Sequence, residues 1–103
     1  MPHLRTATAL CALLLLGLGT AHADLALAKA RNCMNCHAVD KKIVGPALHD
    51  VALKYRADAS AAPRLEQKVL HGGGGVWGVV KMPSNPELSA DEAHRLVAWV
   101  LAQ

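Results

Sequence analysis

The chain has no phenylalanine and only three aromatic residues, Tyr55, Trp77 and Trp99. Buried aromatic rings dominate the energetics of most small cores, so something other than side chains is needed to fill the middle of this one. Disulfides are not the answer. There are three cysteines, and Cys33 and Cys36 stand in one local motif, which excludes the framework of bridges typical of small exported domains. Strong charge of one sign is also lacking: 11 basic residues face 8 acidic ones. No basic run is interleaved with aromatics, and a nucleic-acid partner is therefore not expected. No apolar run is long enough to span a bilayer. The longest, Ala9 to Leu18, has about half of the ~20 residues a spanning helix requires.

That short run has another meaning. Arg5 precedes it, and Thr20-Ala21-His22-Ala23 follows, with small residues at the −3 and −1 positions of a cleavage after Ala23. This is the pattern of a secretory signal peptide. Residues 1–23 are expected to be removed and 24–103 to form one domain of 80 residues, located in the periplasm without a stable membrane anchor. Cys11 lies inside the run and not after it, so it is read as a passive residue lost with the leader. Loss of Arg5 leaves ten basic against eight acidic residues, a formal charge of +2. A chain this short has difficulty offsetting its conformational entropy by burial alone, and such domains usually add a metal or a cofactor.

The periodicity predicts an all-α fold with four short helices and no strand. The first covers Leu25 to Asn32 with Asp24 as N-cap. The second follows Pro46, over Ala47 to Arg56, with Leu48, Val51, Ala52 and Tyr55 on one face. The third starts at Pro63, a good first-turn residue, and ends at the glycines after His71. The fourth opens with the capping box Ser89-Ala90-Asp91-Glu92, with Leu88 placed to staple onto Ala93, and runs to the end. Between the third and fourth helices lies an irregular stretch, Gly72 to Leu88, rich in glycine and proline. Loops of that length are commonly functional.

Cys33-Met34-Asn35-Cys36-His37 is a C-x-x-C-H run, the signature of covalent c-type haem attachment. Two cysteines three positions apart can each form a thioether to one of two vinyl groups on the same haem edge, and the adjacent histidine then ligates the iron. A thioredoxin-like motif would need a βαβ setting, and a structural zinc site a second ligand pair; neither accompanies this run. One covalent haem c is therefore the expected cofactor, with His37 as its first axial ligand.

The second axial ligand follows by elimination. Neutral histidine and methionine sulfur are the common choices. Met1 leaves with the leader, and Met34 sits within the attachment motif. Met82 remains, in the irregular loop next to Pro83; otherwise it is an ordinary apolar loop residue. His49, His71 and His94 are the rival ligands, the first and last within helices and His71 at a helix end, where it suits the dipole. His/Met ligation raises the reduction potential and fills both axial positions. That implies outer-sphere exchange of single electrons and no enzymatic turnover. A haem peroxidase or a haem sensor is the alternative; either needs an open or labile sixth position, and carbon monoxide binding to the reduced protein separates them from a carrier.

These residues resemble the small class I bacterial cytochromes of the cytochrome c-551 group. The likeness extends to Val44-Gly45-Pro46-Ala47, Gly75-Val76-Trp77-Gly78, Met82-Pro83 and the helix from Asp91-Glu92-Ala93 to Trp99-Val100-Leu101, which together span nearly all of 24–103. It implies four short helices wrapped around one covalent haem. It implies that the Pro46 carbonyl accepts from the His37 imidazole, that the Trp77 indole N–H meets a haem propionate, that Asn85 steadies the Met82 sulfur and that Lys68 lies near a propionate. Core packing for Trp77, a turn role for Asn85 and a solvated face for Lys68 are the alternatives. It further implies redox protein partners: a membrane cytochrome complex as donor, and a periplasmic nitrite reductase or a terminal oxidase as acceptor. Lys29, Lys41, Lys42 and Lys81 are candidates for a basic rim facing an acidic patch on such a partner. A monomer is expected.

Overall fold

The computed structural model describes residues 21 and 23–103. The expected leader, residues 1–23 with Cys11, otherwise lies outside the described residues. The described chain is helical over four stretches: α1 over 23–30, α2 Leu48–Tyr55, α3 Ala61–His71 and α4 Ala90–Leu101. Among the described residues there are only two isolated β-bridges, His37 with Lys42 and Gly73 with Met82, and no strand.

Helix α1 stops at Asn32, which takes a left-handed conformation with φ 64°, one that asparagine tolerates better than most residues with a Cβ. Residue 23 is already helical, so Asp24 does not serve as the N-cap the sequence suggested. Its carboxylate is 3.0 Å from the Arg95 guanidinium of α4, and it is the one buried charged residue among those described. A buried carboxylate is retained where it is paired, and this pair ties α1 across α4. A second tie lies near the other end of α1, where Arg31 meets both carboxylate oxygens of Glu92 at 3.2 and 3.0 Å.

Helix α2 has no side-chain cap. Two of its free amides are satisfied instead by the chain leaving His37: Leu48 N donates to Ala38 O (2.9 Å) and His49 N to Val39 O (2.8 Å). Helix α3 starts at Ala61, two residues before the expected Pro63. Asp58 explains the difference. It accepts from the Ser60 amide (2.9 Å), the Ser60 hydroxyl (2.7 Å) and the Arg64 guanidinium (2.7 Å), which organises the turn ahead of the helix. Pro63 then falls within the first turn, whose N–H groups have no intrahelical partner anyway. Helix α4 starts as expected. Ser89 Oγ accepts from Glu92 N (3.0 Å) and Glu92 Oε1 from Ser89 N (3.1 Å).

Helix α4 packs against both α2 and α3, and Ala28, Leu88 and Leu96 form a buried cluster that Met34, Leu70 and Trp99 partly cover. Half of the buried apolar positions are alanine: Ala28, Ala47, Ala52, Ala61 and Ala93. No large side chain is fully buried among the described residues. The buried apolar residues are thus of small or medium size, and the helices surround a central cavity.

Candidate functional site

The attachment motif is a 3-10 turn, Cys33–Asn35, entered from the left-handed Asn32. Cys36 N and His37 N both donate to Cys33 O, at 3.2 and 3.0 Å. This local winding brings Cys33, Cys36 and His37 to one wall of a central cavity. Both cysteine side chains are half-buried.

His37 is held from two sides. Its Nδ1 lies 2.7 Å from the Pro46 carbonyl oxygen. A carbonyl can only accept, so Nδ1 carries the proton and Nε2 keeps its lone pair for a metal. The Pro46 contact implied by the family likeness is therefore present. Gly45 supports the ring as well, a role the sequence did not disclose. A Cβ on Gly45 would stand 2.6 Å from His37 Cε1 and 3.0 Å from both ring nitrogens, so only glycine lets the backbone lie against the imidazole. Gly45 is itself fixed by its amide, which donates to Cys36 O at 2.8 Å.

The cavity measures about 720 Å3, within the roughly 300–1,000 Å3 typical of cofactor sites. Every helix contributes to its wall: Ala28 from α1, Leu48 and Val51 from α2, Leu65 and Val69 from α3, Val97 and Val100 from α4. The segment from Gly73 to Pro83 closes the remaining side. The charged side chains on the wall are Lys42, Lys68 and Lys81, with no carboxylate. Of the proposed rim lysines, Lys42 and Lys81 line the cavity, whereas Lys29 and Lys41 are exposed elsewhere. Val44, Val76, Val79 and Val80 line it too while remaining exposed, so the mouth is apolar with a basic edge.

Met82 is half-buried and lines the cavity. Its backbone is paired to Gly73 in both directions, at 2.8 and 2.9 Å, which anchors it to the end of α3. The glycines there have a steric reason. Gly72 has φ 72° and ψ −165°, a region open essentially to glycine alone, and a Cβ on it would stand 2.4 Å from Met82 O. The rival histidines go elsewhere. His49 Nδ1 lies 2.9 Å from Gln103 O, His94 Nδ1 lies 2.7 Å from Glu66 Oε1, and His71 is exposed past the cavity.

Lys68 is half-buried on the wall, with its ammonium against Gly73, where an added Cβ would stand 2.9 Å from Nζ. Trp77 also lines the cavity but is 41 % exposed, so it is not a core residue. Asn85 is half-buried at the base of the loop. Its Nδ2 donates to Val69 O at 3.0 Å, and its amide donates to Leu70 O at 3.0 Å. These bonds tether the returning chain to the last turn of α3.

Four helices around an apolar cavity, with two thiols and a correctly protonated imidazole on one wall, define a c-type haem-attachment domain. The residues fit that group: the lining is apolar, the thiols stand beside His37, and Gly45 leaves the ring room to face inward. Comparison with known proteins agrees. The family model described as "Cytochrome c" matches residues 25–103. Cytochrome c-551 of Allochromatium vinosum is 51% identical over 82 residues, covering 80% of this chain and 87% of that one. Cytochrome c-552 of Nitrosomonas europaea is 47% identical over 87 residues, covering 84% of each. The crystal structure of N. europaea cytochrome c552 superposes with a TM-score of 0.73 at 45% identity, covering 76% of this chain and 96% of the other. The chain belongs to the cytochrome c family, in the class I group of the c-551 and c-552 proteins. It carries one covalent haem c and is an electron carrier.

Proposed function

We propose that this protein is a periplasmic carrier of single electrons whose haem iron is held by His37 on one side and Met82 on the other. The observation that carries the reading is that His37 and Met82 line one cavity while His49, His71 and His94 do not. The haem supplies a one-electron couple, and the protein's residues set its conditions. Pro46 and Gly45 hold the imidazole in one tautomer and one orientation. Met82 supplies a neutral sulfur, which favours the reduced state relative to a second imidazole. Lys68 and the Trp77 indole, both on the cavity wall, would meet the propionates. Asn85 positions Met82 by tying the return segment to α3. With both axial positions filled there is no place for a substrate, and the protein works as a carrier and not as an enzyme.

Electron exchange then occurs at the mouth. Its apolar edge of Val44, Val76, Val79 and Val80, with Lys42 and Lys81 beside it, suits a small transient interface with an acidic partner. A membrane cytochrome complex as donor and a periplasmic nitrite reductase or terminal oxidase as acceptor fit that chemistry. Residues 1–23 act as the cleaved export signal.

The test is Met82→Ala in the haem-loaded protein. The ferric wild type should show a weak far-red sulfur-to-iron band and the ferrous form should resist carbon monoxide. The variant should lose the band, bind carbon monoxide promptly and shift in midpoint potential. An unchanged spectrum and potential in the variant would remove the basis of the proposal.

A further inference from the structure

The loop between Gly73 and Met82 is closed at its base and exposed beyond it. Residues 74–81 are all exposed, Val79 to 98 %. Gly73, Gly75 and Gly78 have φ of 127°, 101° and 124°, so the segment carries much of the conformational freedom of glycine. Among the described residues, no hydrogen bond or ion pair joins 74–81 to any helix; the one bond within it is Gly75 N to Gly78 O at 3.3 Å. What reaches from the tip to the helical body is a cation–π contact. Lys54 Nζ lies 5.9 Å from the Trp77 ring centroid and 5.6 Å from that of Tyr55, both within the ~6 Å range of such contacts.

Lys54 stands in the last turn of α2, where any lysine suits the helix dipole. The dipole does not account for its placement between two rings, one of them on a distant loop. It has no carboxylate partner among the described residues, so its ammonium is not diverted elsewhere. We propose that Lys54 is a positioning residue for the iron site: through Trp77 it clasps the loop to α2 and so keeps Met82 seated. The inference rests on the reading of Met82 as axial ligand. If Trp77 swings free, segment 74–81 loses its tie to α2 and is anchored only at its base, by the Gly73–Met82 pairing and the Asn85 bonds to α3, and the sulfur is displaced more easily. Removing the charge while keeping the stem isolates the effect.

The experiment uses the ferric haem-loaded protein and added imidazole as the probe, which replaces the Met82 sulfur with no change of oxidation state. Lys54→Met should bind imidazole about two- to fivefold more tightly, the factor expected from an exposed cation–π contact. Lys54→Arg should match wild type, since guanidinium serves equally well. In a Trp77→Leu background, Lys54→Met should add nothing. Unchanged imidazole affinity in Lys54→Met, no rescue by arginine, or the same gain in the Trp77→Leu background would each overturn the clasp. Lys54 is exposed, so its single variants fold and give the answer without the tryptophan variant. Absence of the far-red band in wild type would instead overturn the Met82 reading itself, so the two failures are distinguishable.

Discussion

Substituting Gly72 by alanine should displace Met82, the proposed second iron ligand, and the neighbouring glycines allow the cause to be separated. Two costs arise at Gly72. The backbone, at φ 72° and ψ −165°, lies where a residue with a Cβ is strained by about 1–3 kcal/mol. The new methyl would also stand 2.4 Å from Met82 O and 2.8 Å from both Pro83 C and Ser84 N. All three are main-chain atoms of the segment that carries the sulfur. They cannot rotate aside, so the segment must retreat by roughly 1 Å to reach ordinary carbon contact distance. Gly75 supplies the control. Its φ is 101°, yet a Cβ there meets nothing within 4 Å, so Gly75→Ala carries backbone strain without the collision. For a domain of this size 1 kcal/mol shifts Tm by about 4–8 °C. Gly75→Ala should lower Tm by one to a few such steps and keep the far-red band. Gly72→Ala should lower Tm further and weaken or abolish that band. The assay is thermal unfolding of the haem-loaded proteins with the ferric spectrum recorded alongside. Equal loss of stability and an intact band in both variants would refute the argument that close approach requires glycine at position 72.

Two further perturbations act on other parts of the structure. In Gly45→Ala the new Cβ would lie 2.6 Å from His37 Cε1, so the ring must turn and give up its 2.7 Å bond to Pro46 O; haem content per chain and the low-spin ferric spectrum should both fall, and wild-type values for both would count against the close packing of glycine and imidazole. The Ser89 amide and then Arg31 hold the Glu92 carboxyl below the usual carboxylate range, so its stabilising effect is complete above the ordinary carboxylate pKa and is lost as pH falls through the depressed folded value. Wild type should therefore exceed Glu92→Gln in Tm near neutral pH, with the gap closing in acid; a gap that stays constant with pH would show that charge at this position is not the cause.

The parts of the site that can be read along the chain are those whose geometry is local. Cys33, Cys36 and His37 come together through a single 3-10 turn, so their spacing is their structure. The capping box of Ser89 and Glu92 is equally local, and α4 starts where those residues place it. What is not local could not be read. Asp24 looks like a cap until Arg95, from the far end of the chain, is brought beside it. Pro63 looks like a helix start because the three hydrogen bonds that Asp58 accepts are invisible in a pattern of apolar residues. Gly45 carries no signal beyond standing before Pro46, and its role depends on the distance to an imidazole eight residues away. Asn85 could be read as a ligand-shell residue only by likeness to the family; its bonds to Val69 and Leu70 arise from how the loop returns to α3.

The two sides of the cavity are built with different stiffness, and that difference bears on function. On the His37 side the chain is bound to itself and to α2 at short intervals: Gly45 N to Cys36 O, His37 Nδ1 to Pro46 O, Leu48 N to Ala38 O and His49 N to Val39 O, all at 2.7–2.9 Å. On the Met82 side the bonds are grouped at the base, between Gly73 and Met82 and between Asn85 and α3, and the loop beyond them is exposed. Local openings start where backbone hydrogen bonds are few and exposure is high. Stress on the folded protein should therefore open the Met82 side before the His37 side and, with Met82 as the proposed ligand, release the sulfur before the imidazole. The core makes the same demand from another direction. Half of its buried apolar residues are alanine and, among the described residues, no large side chain is fully buried, so the haem is a structural element of the interior as well as the redox centre. A covalent bond to the stiff wall keeps it there when the flexible wall opens, which lets the methionine side move without loss of the cofactor.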